Sequence, residues 1–142
     1  MSGFTILKAH IRLKCPVDSE IDHGLRLITS EDRKAVDDKI DDPADQDFLE
    51  TAPFYLMQGR ITYDGRYVVV NAQLKNKRHD LEEFLLWLAP SVESVEDGTW
   101  YDEENIDDET FELSFAAETG KFLLRGPNQE RELITEPWRP AI

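Results

Sequence analysis

The 142-residue chain is 40% hydrophobic and 10% aromatic, enough to bury a core without a metal or disulfide staple and too apolar to stay unfolded. Its net charge of −14 repels the nucleic-acid backbone and anionic membranes at long range and favours cationic partners. No apolar run approaches the ~18 residues of a membrane-spanning helix, and the single cysteine, Cys15, excludes an internal disulfide.

Residues 4–14 alternate strictly, with Leu7, Ala9, Ile11 and Leu13 on one face and Lys8, His10, Arg12 and Lys14 on the other. This predicts a half-buried first strand with a basic outer face, and not a secretory leader. A cytoplasmic location is the expectation that follows. CPVDSEIDHG reads as a break, and LRLIT as a short second extended piece. Ser30 offers an N-cap for a surface helix over 31–41, its apolar residues being only Ala35, Val36 and Ile40. DDPADQDFLETAP then reads as a loop with one helical turn.

The clearest local signal is FYLMQGRITYDGRYVVVNAQL, where Asp64-Gly65 separates two β-rich runs. Asp-Gly suits a tight hairpin turn, which predicts strands at 54–63 and 66–75. KNKRHD leads into a predicted helix over 81–89, with Asp80 and Glu83 spaced as a capping box. Leu81, Phe84, Leu85 and Leu88 form its apolar stripe and Pro90 ends it. SVESVEDGTWYDEE supplies a further strand, and FELSFAAETGKFLLRG a hairpin about Glu118, Thr119 and Gly120. Trp138 anchors a proline-bounded tail.

No linker or repeat divides the chain, so residues 1–142 are expected to form a single α+β domain. Its antiparallel sheet would carry two helices on one face. The order β, α, β, β, α, β matches a split βαβ, ferredoxin-like arrangement, followed by a C-terminal hairpin.

Catalytic chemistry finds little footing. His10, His23 and His79 are not paired by spacing with a base or second ligand, and Cys15 reads as a small buried residue. No glycine-rich phosphate loop is present. DPADQDFLE (42–50) lacks the glycine that an EF-hand needs at its sixth position, and DGTWYDEENIDDE (97–109) puts glycine and threonine where ligands belong. The reading is a protein that is not an enzyme, with no cofactor and no metal.

Charge is strongly segregated. Residues 80–120 hold fourteen acids and no Lys or Arg, whereas 59–79 hold one acid and five bases. The candidate partner-binding residues are Glu93, Glu96, Asp97, Trp100, Tyr101, Asp102, Glu103, Glu104, Asp107, Asp108 and Glu109. Aromatic anchors within a field of one sign are the usual ingredients of an interface hot spot, with the charges speeding encounter and setting orientation. The expectation is a basic protein partner, such as a nuclease toxin or other nucleic-acid-binding protein, held by an inhibitor or immunity-type protein. Two alternatives stand beside it. The acids could imitate backbone phosphates, with DDKIDDPADQD (37–47) extending the surface, or they could simply keep a structural or adaptor subunit soluble. The basic stretch at Lys75, Lys77 and Arg78, with the outer face of the first strand, could balance nearby acids or pair copies of the chain.

Overall fold

The computed structural model describes residues 4–29, 43–51, 53–75, 77–102, 110–126 and 131–134, with the backbone alone for Asp102 and 131–133. Strand β1 (Phe4–Leu13) follows its sequence alternation, with Leu7, Ala9, Ile11 and Leu13 buried and Lys8 and His10 exposed. Cys15 is exposed, not buried as its residue type suggested.

The first departure is helix α1 (Ser19–Ile28): the supposed break CPVDSEIDHG holds only up to Asp18, and the helix takes in its last six residues and all of the supposed extended LRLIT except Thr29. Asp18 starts it by accepting hydrogen bonds from the Glu20 and Ile21 N–H groups at 3.0 and 3.4 Å. Ile21, Leu25 and Ile28 recur about one turn apart and are buried, so helical periodicity outweighs the β-rich look of the last five residues. The helix expected over 31–41 lies outside the described residues.

Within DDPADQDFLETAP (41–53), expected as a loop with one helical turn, residues Pro43–Glu50 form the longer helix α2. The strand expected at 54–63 is reduced to β2 (Ile61–Tyr63), preceded by the single-turn helix α3 (Phe54–Met57). Aromatic packing between helices accounts for the change. Phe54 stacks on Phe48 of α2 at 4.1 Å and meets the edge of Trp87 at 4.9 Å, contacts that a sheet position would forfeit. Gly59, with φ 78°, separates the two elements.

Strand β3 (Tyr67–Lys75) completes the hairpin. Its turn is centred one residue later than expected, on Gly65 (φ 97°) and Arg66. The Asp64 carboxylate holds it, accepting the Arg66 and Tyr67 N–H groups at 2.9 and 2.7 Å. Helix α4 (Arg78–Leu88) begins earlier than predicted, so Asp80 lies in its first turn and is not its cap. Its stripe of Leu81, Phe84, Leu85 and Leu88 is fully buried as predicted, and a 3-10 turn over Ala89–Ser91 ends it at Pro90. Strands β4 (Val92–Asp102), β5 (Thr110–Ala116) and β6 (Lys121–Arg125) follow, β5 and β6 forming the expected hairpin, and then a short β7 (Arg131–Leu133).

The seven described strands form one sheet in the order β2-β3-β1-β4-β5-β6-β7, with every neighbouring pair antiparallel. The fold is therefore α+β, an antiparallel sheet with helices against one face. Register aligns the buried residues across strands: Leu7 lies opposite Ala72 on one side and Trp100 on the other, and Leu113 opposite Leu124. The helices cover this face, and one apolar core results. The reverse face presents Lys8, His10, Val69, Asn71, Gln73, Lys75, Asp97, Thr99 and Glu112 to solvent.

Candidate partner-binding surface

Strand β4 carries the acidic stretch, and its geometry sorts the candidate residues into three groups. Alternation sends Gly98 and Trp100 to the core and Asp97, Thr99 and Tyr101 to the open face. Trp100 is 1% exposed and lies beneath the Arg78 guanidinium, 5.8 Å from the ring centre. Its side chain is a core residue and cannot be a surface anchor. Tyr101 is half-buried on the opposite face, beside Ile6 of β1. Asp102 ends the strand on the Trp100 parity, and the structure describes its backbone only. Glu103, Glu104, Asp107, Asp108 and Glu109 lie outside the described residues.

Glu93 and Glu96 occupy a second kind of position. The β1–β4 register pairs His10 with Asp97 but Ile11 with Val95, and Arg12 with Ser94 but Leu13 with Val92. Glu96 and Glu93 are thus the extra residues of two bulges. β5 pairs with β4 only over Thr99–Tyr101, which leaves this end of β4 as a sheet edge. Bulges and charges are common devices against unwanted strand addition, and both coincide here.

The third finding concerns neutralisation. In sequence, residues 80–120 contain no base, yet the fold brings bases to them. Glu93 receives Arg12 at 2.9 Å and Arg66 at 3.2 Å. Glu82, almost fully buried, pairs with Arg78 at 2.9 Å. Asp97 lies opposite His10 in register and Glu112 opposite Arg125. Glu96 and Asp97 of β4 are exposed, with half-buried Tyr101 further along the same strand.

The histidines that sequence spacing left solitary all have neighbours. His23 meets Asp45 at 2.9 Å, joining α1 to α2, and His10 sets its ring edge-on to Tyr67 at 4.9 Å. His79 lies 3.1 Å from Glu83 one turn along α4, and with Asp80 these two bring three metal-ligand atoms within 4.8 Å of one another. The positive end of α4 and the adjacent Lys77 and Arg78 oppose a cation there.

Among the described residues, the most perturbed titratable groups lie elsewhere, at the join of α1 with β2. The Tyr63 hydroxyl donates to Asp22 at 2.5 Å, and Arg26 pairs with the same carboxylate at 3.0 Å while lying over the Tyr63 ring. The Tyr63 hydrogen bond, then that of Arg26, holds the Asp22 carboxyl below its usual 3.8. Burial, reinforced by Asp22, pushes the Tyr63 phenol above its ordinary 10.0. This arrangement ties helix to sheet. A phenol held neutral beside a carboxylate is poorly suited to act as a base.

No protein-family model, curated protein or solved structure matches this chain. Among the described residues, no helix is long and apolar enough to cross a membrane.

Proposed function

We propose that the chain is a non-enzymatic binding protein for a basic protein partner. Its best specific form is an inhibitor or immunity-type protein that neutralises a nuclease toxin or another nucleic-acid-binding protein in the cytoplasm. One observation carries this reading. On the open face of β4, exposed Asp97 and half-buried Tyr101 lead directly into residues 103–109, which hold five acids and no base. Tyrosine supplies contact area at little entropic cost, and a surrounding field of one sign steers an oppositely charged partner.

The solubilising-surface alternative rests on the pairing of Glu82 and Glu93 within the fold, which gives part of the acidic stretch a structural role. The two readings separate in one experiment. Immobilised protein is exposed to native lysate at low salt and eluted with a salt gradient, alongside a Tyr101→Ala, Asp97→Asn variant. A single stoichiometric basic protein, retained by the native chain and lost at least ~10-fold more readily by the variant, supports the binding role. A set of weak basic proteins released together at modest salt, equally from both chains, supports the solubilising surface instead.

A further inference from the structure

Two arginines not used by the partner-binding reading, one on β1 and one in the β2–β3 turn, hold the least satisfied polar groups among the described residues. Arg12 on β1 and Arg66 in the β2–β3 turn converge on one oxygen of Glu93, at 2.9 and 3.2 Å. The carboxylate of Glu93 is thus shared by two guanidiniums. Arg66 reaches it through Nη2 in hydrogen-bonding geometry. Arg12 approaches through Nε, but its N–H does not aim at the oxygen. The Nε atoms of both arginines are hidden from solvent and have no hydrogen-bond partner. Among the described residues these are the only two buried side-chain nitrogen or oxygen atoms left in that state.

Orphaned donors are costly enough to be rare, and two that fall together in one cluster ask for a common cause. The cause here is a shortage of acceptors. Two guanidiniums carry ten N–H donors between them, and one carboxylate cannot match both forks. The side chains are 39% and 37% exposed, so each can swing toward a second acceptor arriving from solvent. Tyr67, opposite Arg12 in register, and His10, two residues along the same face, stand beside the cluster as a T-shaped aromatic pair.

We propose that Arg12 and Arg66 form an oxyanion-binding subsite on the open sheet face, with Glu93 as the internal counter-ion that an incoming carboxylate or phosphate displaces. The ligand chemistry is a planar or tetrahedral group with at least two anionic oxygens, which can accept from both forks at once. The subsite takes Glu93 out of the acidic candidate set, but it uses none of Asp97, Tyr101 or residues 103–109, on which the basic-partner reading rests.

The test follows the side-chain Nε–H signals of the arginines by NMR while the whole protein is titrated with inorganic phosphate, and separately with acetate, at constant ionic strength. Saturable shifts of the Arg12 and Arg66 signals are expected, and the anion that saturates at lower concentration identifies a phosphate or a carboxylate source. Arg12→Gln and Arg66→Gln should each weaken binding about tenfold or more. Arg12→Lys, which keeps charge and stem but loses the fork, should also weaken it. Glu93→Gln should tighten it several-fold by removing the internal competitor, an effect that a merely structural ion pair would not produce. Shifts that drift linearly with both anions, or a saturable response that survives Arg12→Gln and is unaltered in Glu93→Gln, would overturn the proposal.

Discussion

At the scale of single residues, Tyr63, Asp22 and Arg26 form the most tightly coupled polar group described in the fold. Tyr63→Phe removes the hydroxyl that reaches Asp22 at 2.5 Å and should cost about 1 kcal/mol in urea denaturation. The pH dependence gives a sharper signature. Asp22 titrates below 3.8 in the fold, so its contribution is complete above that pH and is lost as pH falls through the lowered value. Tyr63 titrates above 10.0 in the fold, so its contribution is complete below pH 10.0 and is lost as pH climbs toward the raised value. Unfolding midpoints measured across pH should therefore fall at both ends in the native chain and fall less at both ends in Tyr63→Phe. Parallel curves for the two proteins would show that the network does not couple to folding. The residue scale also marks a limit of the sequence. That Trp100 and Tyr101 face opposite ways follows from strand alternation alone, but which of them faces inward was decided by pairing with Leu7 on β1.

Glycine marks the close approaches between elements. A Cβ on Gly98 would lie 2.7 Å from the Leu113 carbonyl oxygen, where β4 passes β5, and backbone cannot step aside cheaply. A Cβ on Gly24 would lie 2.8 Å from the Trp87 ring and 2.9 Å from the Phe48 ring, where α1 meets α4 and α2. Overpacking typically costs ~1–3 kcal/mol, whereas alanine in a helix interior gains up to ~1 kcal/mol over glycine. Gly98→Ala should therefore be destabilising by about 2 kcal/mol in thermal or urea unfolding, and Gly24→Ala by clearly less, because helix propensity offsets part of the overlap. A neutral Gly98→Ala would mean that β4 and β5 separate easily. Elements were legible where their period was unbroken: β1, β3, α4 and the β5–β6 hairpin stand much as the sequence predicts. α1 carried a readable signal in Asp18 and the Ile21, Leu25, Ile28 spacing, which the β-rich ending LRLIT concealed. Residues 54–57 carried none, since an aromatic run fits a strand as well as a helical turn until Phe48 and Trp87 are in place.

For the whole molecule, the excess of acid over base works against compaction. The described surface ion pairs are partly exposed: Arg12–Glu93 at 39% and 48%, Arg26–Asp22 at 62% and 33%. Pairs of this kind contribute ~0–1 kcal/mol each, whereas self-repulsion from a net charge of −14 acts across the entire surface. Added sodium chloride screens both, with a Debye length of ~10 Å at 0.1 M. The repulsion should dominate, so the thermal midpoint should rise between low salt and ~0.5 M. A midpoint that falls would show that the ion pairs, and not the net charge, govern stability.

The sequence by itself determined the α+β class, the inward and outward parity of β1 and β3, the buried stripe of α4 and the sign of the surface field. All of these depend on composition or on spacing within one element, where the backbone period is fixed. Tertiary structure alone decided that Trp100 is core, that Glu93 and Glu96 sit on bulges at a sheet edge, and that the base-free stretch draws its counter-ions from elsewhere. Arg12, Arg66 and Glu93 come from a strand, a turn and a bulge far apart in the chain, and only strand register brings them to a common point. Charge that is segregated along the sequence becomes partly paired in space because antiparallel packing sets the basic face of β1 against the acidic face of β4.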